Sequence, residues 1–599
     1  MSRLSRPARL SALTLAAVIT LSGCIGLPST TGVRAGQAVD AGAVDEPLAV
    51  EPLTASSFDD PRSIATGFVR AQMSSQDNHA AARTFLTAEA STAWKPGSAV
   101  TVFSGESDIV ATRPETGKVR LRIPVVATIS PDGHLERSDQ YERTLEFSVR
   151  ETSAGWRLTD LPPNLGVWMS DSDVTRLFTR ANVYYPARHG RVLIADPRVL
   201  PRQGLATALA RASLSAPPAW LEPAVEQSAP DGTRLAVDAV PVREGTAQVD
   251  LSKQASGADN AQRTALWAAM TATLLQAPEV GTLNLTVGAT RLEAENLPSS
   301  VDEVSDVGYR LPTGGVDTVI SRSGTYLAWT QASANDAVSG TTKAAARGRP
   351  SLPAVEANWT FLAAGQGGRQ IAAVSKDRTS IRRWVNGSAV TLDSLGTDLV
   401  RPAFDASGWL WTAGHAFSNA ESGRSDSKVR DASVWAVDTS ASEAGAAPVR
   451  LQVPWLGEGE VESLSMSPEG QRLAMIVKDP KGRRAVLAAV ERDAKGRPVR
   501  LGPAHVAARG VKNPTSIVWA DATSLAVLGT IDGTKRPALQ TIDDVVEPLA
   551  VVRHGDGLAS TLRGSDGLFV RTSNQTVFTR LGSSWSSFLS RGDVIVPNP

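Results

Sequence analysis

Cysteine is all but missing from this chain: its 599 residues contain one, Cys24. A lone cysteine makes no internal disulfide, so stability has to come from buried apolar surface. Net charge is missing as well, because lysine plus arginine and aspartate plus glutamate number 61 each. That balance gives no basic footprint for nucleic acid and no polybasic patch for a membrane surface. Beyond the first two dozen residues, no apolar run approaches the length of a transmembrane helix. Local signatures of chemistry are absent too. None of His79, His134, His189, His415, His505 and His554 has a second histidine within four residues, so no metal motif forms locally. There is no Gly-x-Ser-x-Gly elbow and no glycine-rich phosphate loop ending in Lys-Ser/Thr. His554-Gly555-Asp556-Gly557 and Ser565-Asp566-Gly567 read as turns between strands. The sequence therefore nominates no catalytic, cofactor-binding or metal-binding residue and no cofactor. The chain is expected not to be an enzyme, with His134, His189, His415, His505 and His554 at surface or turn positions. Convergence of catalytic groups from distant segments stays open.

What is present begins at the N-terminus. Arg3, Arg6 and Arg9 precede an apolar run from Leu13 to Leu21, too short for a stable membrane span. The run ends in Leu21-Ser22-Gly23-Cys24, which resembles the lipobox of bacterial lipoproteins. The resemblance implies a signal peptide over 1–23, an S-diacylglycerol and an N-acyl chain on Cys24, and a lipid-anchored protein on the extracytoplasmic face of the cell membrane. An ordinary secretory signal is the alternative, but it leaves an exported free thiol unexplained. Residues 24–57 are rich in Gly, Pro, Ala, Ser, Thr and Val and lack aromatics. They read as a flexible tether that spans about 30 Å on average by random-coil scaling.

Three folded units follow. In residues 58–165, Pro61 is placed at a helix start, with Ile64, Phe68, Val69 and Met73 on one face. A second helical piece runs from Asn78 to Trp94. Strands are expected at 99–103, 109–112, 119–129, 141–150 and 156–159, with turns at Pro131-Asp132-Gly133 and Ser153-Ala154-Gly155. This is a small α+β domain of cystatin-like or nuclear-transport-factor-like layout, its sheet curved over the helices. In residues 170–290, a helix is expected near 172–180, strands at 181–185 and 191–195, and a helix at 204–214. A hairpin turns at Arg243-Glu244-Gly245-Thr246 between 234–242 and 247–251. Asp259 caps a long helix with Leu266, Trp267, Met270 and Leu274 inward, and Leu283 to Val287 closes the unit. The segment Leu205 to Pro217, Thr233-Arg234-Leu235, Ala247 to Ser252, the long helix and Leu283 to Gly288 resemble the α/β GerMN domain of bacterial envelope proteins. That family carries no agreed catalytic centre.

From about residue 300 to 599 the pattern is all-β. An apolar strand, a glycine turn and a second apolar strand recur at 318–329, 360–374, 403–411, 463–476, 517–528 and 567–570. The turn glycines Gly324, Gly368, Gly408 and Gly470 are 44, 40 and 62 residues apart. That period is the spacing of propeller blades, so a C-terminal β-propeller is expected, with six blades and room for a seventh where the spacing stretches. Nine of the fourteen tryptophans lie in this half, where they read as wedges between blades rather than a sugar-binding face.

The lipobox, tether, α+β domain, GerMN-like unit and propeller, in that order, resemble the lipoprotein LpqB family of actinobacteria. The resemblance implies an accessory of the MtrA/MtrB two-component system. Its partner would be the extracytoplasmic domain of a sensor histidine kinase, and it would act in envelope and cell-division signalling. The alternative is a lipoprotein that binds wall glycan or a small ligand. The first test is at the anchor. Mass spectrometry of the N-terminal peptide is expected to find acyl mass on Cys24 and none in Cys24→Ala; an unmodified mature thiol would refute the lipobox reading.

Overall fold

The computed structural model describes residues 53–105, 109–113, 115–137, 142–312, 314–332, 345–417, 432–440 and 447–598. Cys24, the expected signal segment and the expected tether up to residue 52 lie outside them. From Leu53 to Pro599 the chain forms one compact unit. Among the described residues no helix is long and apolar enough to cross a membrane. The tether expected to reach Ser57 is already folded at Ala55, which is buried and donates its N–H to Thr84 Oγ1.

In the N-terminal domain, Asp60 caps the helix Pro61–Ala71 by accepting from the Arg62 N–H at 2.9 Å, and Pro61 opens it. Ile64, Phe68 and Val69 form its buried face, with Phe68 edge-on to Trp94 and Phe147. The expected helix over 78–94 divides into Gln76–Arg83 and Ala88–Ala93, because Leu86 leaves the helix to bridge Leu158. The single strand expected over 119–129 also divides. Pro124 has no N–H to continue a ladder, so Lys118–Ile123 joins one four-stranded sheet and Val125–Ile129 another. The domain therefore has two sheets rather than one.

The middle domain is built on two paired strands, Phe178–Pro186 and Leu193–Pro201. Eight of the nine residues of Leu193–Pro201 are buried. The long helix Asn260–Leu274 starts with a capping box, Asp259 and Gln262 exchanging side-chain bonds with each other's backbone N–H. Its residues from Ala265 to Leu274 are all buried, so it is covered on every side rather than along one stripe. Thr246–Leu251 and Thr282–Val287 run parallel beside it. The hairpin turn is at Glu244-Gly245, both with positive φ, which matches the right-handed twist of the flanking strands. Its first strand is only Val242–Arg243, since Pro241 offers no donor to extend the ladder.

The remainder is a propeller of six sheets. Blade 1 combines Thr318–Ser323 and Tyr326–Gln331 with the late strand Asp593–Ile595. Blades 2 to 6 occupy 359–392, 396–450, 460–507, 512–548 and 555–589. The six recurring units of the sequence fall one to each blade. No seventh sheet occurs among the described residues. The long interval between Gly408 and Gly470 includes an insertion inside blade 3, where Trp409–Ala416 pairs directly with Ala432–Asp438. Trp329, Trp359, Trp384, Trp411, Trp435 and Trp519 are buried, as wedges should be. Ring closure is locked by charge as well as by strand pairing: Arg401 of blade 3 meets Asp593 at 2.7 Å.

The middle domain and propeller share one hydrophobic core. Leu193, Ile194, Leu209 and Leu274 cluster with Ile476, Leu487, Trp519 and Val527 of blades 4 and 5. Each such side chain contributes about 1.5–3 kcal/mol on burial, so this contact has the character of a domain interior. Arg472 fastens it. Fully buried, it pairs with Glu469 at 2.5 Å, lies over Trp519, and donates to the carbonyls of Ala522 in blade 5 and Ala195 in the middle domain. Removing residues 591–599 takes away the closing strand and the Arg401–Asp593 pair. Calorimetry is expected to show unfolding at least about 5 °C lower, or split into two transitions. An unchanged single transition would mean that the ring does not depend on this strand.

Candidate functional site

Strand geometry decides what Leu193–Pro201 shows to each neighbour. Residues two apart share a face, so Asp196 and Arg198 both meet the loop Ser130 to Leu135 of the N-terminal domain. Arg198 is fully buried and bonded on all sides. Its Nε and Nη2 approach Asp196 Oδ2 at 2.8 and 2.7 Å, Nη1 donates to the Asp132 carbonyl at 2.7 Å, and Nη2 donates to the Tyr185 hydroxyl at 2.8 Å. His134 bridges the two carboxylates, with Nδ1 3.0 Å from Asp132 Oδ2 and Nε2 3.2 Å from Asp196 Oδ2. Gly133 permits the approach. Its φ is +89°, its carbonyl accepts from the Val199 N–H, and an added Cβ would lie 2.7 Å from Leu200.

The environment sets the protonation of this cluster. Burial works against the Asp132 carboxylate, but the Ser130 hydroxyl, His134 and Arg198 outweigh it and hold the group below the usual carboxylate range. Burial pushes the Tyr185 phenol up to about 12. The propeller reaches the same junction through blade 5. Arg180 Nε is 3.1 Å from Asp543 Oδ2, and Arg137 of the N-terminal domain donates to the Asp544 carbonyl at 2.9 Å. Burial raises the Asp544 carboxyl. His505 stacks on Trp220 with ring centroids 5.3 Å apart. Where the three domains meet, a cleft of about 590 Å³ opens.

The chemistry of the cluster is that of a clamp. A serine hydrolase needs its imidazole between a hydroxyl and a carboxylate. Here His134 lies between two carboxylates, while the Ser130 hydroxyl bonds Asp132 and accepts from the His134 backbone N–H. Among the described residues no group of three or more His, Cys, Asp or Glu side chains is arranged to hold a metal ion. The cation beside Asp132 and Asp196 is the chain's own guanidinium. A second cleft, on the propeller axis, is lined by Arg401, Arg571, Asp556 and Asp593, and these charges pair with one another.

The expectation of surface or turn histidines is corrected. His554 does lie in a turn with positive φ. His415, however, is buried 3.3 Å from Asp398, and His505 is half-buried and stacked on Trp220. Each ring is tolerated because a carboxylate or an aromatic face receives it. The turn at Pro131-Asp132-Gly133 was visible in the sequence, but its partners Asp196 and Arg198 were not. The available signal was two opposite charges at alternate positions within the apolar stretch Leu193 to Leu200, an arrangement that burial permits only for a paired set.

Comparison with known proteins gives three matches to family models. They are the lipoprotein LpqB N-terminal domain over 57–175, the sporulation and spore germination domain over 182–293, and the lipoprotein LpqB beta-propeller domain over 338–597. Lipoprotein LpqB of Thermobifida fusca is 27% identical over 78% of this chain and 78% of its own length. Lipoprotein LpqB of Nocardia farcinica is 25% identical over 95% of this chain and 96% of its own. Among solved structures, a nidogen/laminin complex is 11% identical over 47% of this chain and 93% of that one, at a TM-score of 0.31, too low to carry any argument.

Arg198→Ala strands two carboxylates beneath the N-terminal loop and is expected to cost about 3–5 kcal/mol in denaturant unfolding. The Asp132 carboxyl titrates lower in the folded than in the unfolded chain, so the unfolded state binds the proton first. Its contribution is complete above the ordinary value of 3.8 and is lost as pH falls through the lower folded value. Melting temperature against pH should therefore fall less steeply on the acid side in Asp132→Asn; an unchanged acid limb would contradict the assignment.

Proposed function

Because the chain belongs to the lipoprotein LpqB family, we propose that it is a membrane-anchored extracytoplasmic lipoprotein, held by acyl chains on Cys24. In this reading it is a non-enzymatic regulator that contacts the extracytoplasmic domain of a two-component sensor histidine kinase. It would act with a system of the MtrA/MtrB kind in envelope and cell-division signalling. The observation that carries the reading is the use to which the junction's polar groups are put. Asp132, His134, Asp196 and Arg198 bond one another across a domain boundary. Such a device builds a rigid binding body and supplies no activated nucleophile. Anchoring the body in the membrane of its partner raises local concentration without any new contact.

A second reading, binding of a wall glycan or small ligand, draws support from the three-domain cleft with Trp220 in its lining. The version that relied on propeller tryptophans loses support from the burial of six of the nine.

Crosslinking in intact cells followed by pull-down tests the first reading, with recovery of the kinase ectodomain as the expected result. A reporter of the envelope response should fall by about tenfold in Cys24→Ala, through lost local concentration. His189→Gln and His554→Gln, outside the junction clamp, should stay within about twofold. Failure to recover any kinase, or equal signalling from the detached protein at matched levels, would end the proposal.

A further inference from the structure

The three-domain cleft has an unusual lining. Among the described residues its titratable groups are the carboxylates of Asp132, Glu136, Asp196 and Asp543 and the imidazoles of His134 and His505, without a lysine or arginine. Asp132 and Asp196 are already engaged by Arg198 and His134. Asp543 is engaged at one oxygen only: its side chain is 5% exposed, Oδ2 meets Arg180, and among the described residues the buried Oδ1 has no donor. His505 adds a second acceptor. Burial holds its ring below the usual imidazole range, which favours the neutral form. Among the described residues its buried Nε2 has no hydrogen-bond partner. With the ring's single proton on Nδ1, Nε2 presents a lone pair. The remaining wall is apolar: Pro197, Pro217, Pro218 and Trp220.

We propose that this cleft binds a primary alkylammonium group, its nitrogen between Asp543 Oδ1 and His505 Nε2 and its aliphatic stem along the proline and tryptophan wall. Two unsatisfied buried acceptors call for a ligand made of donors. An ammonium is favoured over a guanidinium because Asp543 offers one free oxygen, whereas a planar fork needs two. The ammonium supplies three N–H donors for these acceptors and adds a positive charge beside the carboxylate oxygen that Arg180 leaves free. Such a group comes from a lysine side chain or from a free polyamine. The proposal is independent of the kinase reading.

Isothermal titration of the full chain in detergent micelles tests it with cadaverine, Nα-acetyl-lysine methylamide and, as the uncharged control, pentan-1-ol. Binding of either amine supports the proposal, and the tighter of the two identifies the source. Asp543→Asn should weaken binding at least about tenfold, as expected for loss of a charge-assisted bond. Ala504→Leu fills the cleft without removing a polar group and should do the same, so the test survives if Asp543→Asn fails to fold. Asp238→Asn, on the exposed surface, should change nothing. Absence of binding by both amines up to about 20 mM, binding of pentan-1-ol as tight as that of cadaverine, or undiminished binding in either cleft variant would overturn the assignment.

Discussion

Two opposite charges buried on one strand impose the central constraint on this molecule. Asp196 and Arg198 lie where water does not reach, and removing either partner from such a set costs several times what a surface pair contributes. They satisfy each other only in part. The guanidinium also needs the Asp132 carbonyl and the Tyr185 hydroxyl, and the first of these arrives only with the N-terminal domain. On its other side the same strand offers the Ala195 carbonyl to Arg472, which is itself buried and paired with Glu469. Folding of the middle domain is thereby coupled to both neighbours. A polar network that is incomplete without each member is worth little in parts and much when closed.

The coupling gives the domains different standing. Between the middle domain and propeller the contact is a shared core of Leu, Ile, Val and Trp side chains. Between the N-terminal domain and the rest it is a smaller apolar patch, with Val102, Ala127 and Ile129 against Val199, reinforced by the charged loop. The first contact is the stronger by apolar area, whereas the second is specific through charge and hydrogen bonds. A partner pressing on the N-terminal domain would act on the weaker seam, and the cleft lies along it.

The architecture was largely legible in the sequence. Glycine turns and apolar strands recur at blade spacing, so each recurring unit found its own sheet, and Asp259 with Gln262 marked the start of the long helix. Where reading failed, a proline or a long-range pairing decided. Pro124 sends one apolar run into two sheets, and Leu86 leaves its helix to bridge a strand far along the chain. The junction was the least legible part. Its groups come from Ser130 to Leu135, Asp196 to Arg198, Trp220, His505 and Asp543, and no local spacing relates these segments. Each looks ordinary where it stands; only the fold makes them neighbours.

Blade 1 takes its strands from opposite ends of the propeller sequence, Ile320 pairing with Ile595 across nearly half the chain. Such a pairing has very high contact order, so its loop-closure entropy is met late, after the blades between have formed. Until then Thr318–Ser323 keeps an open edge, the form of β-structure most ready to pair with a stranger. The ring is therefore most exposed to misassembly in its last step, and the interval before closure, rather than the stability of the finished ring, governs how cleanly the protein folds.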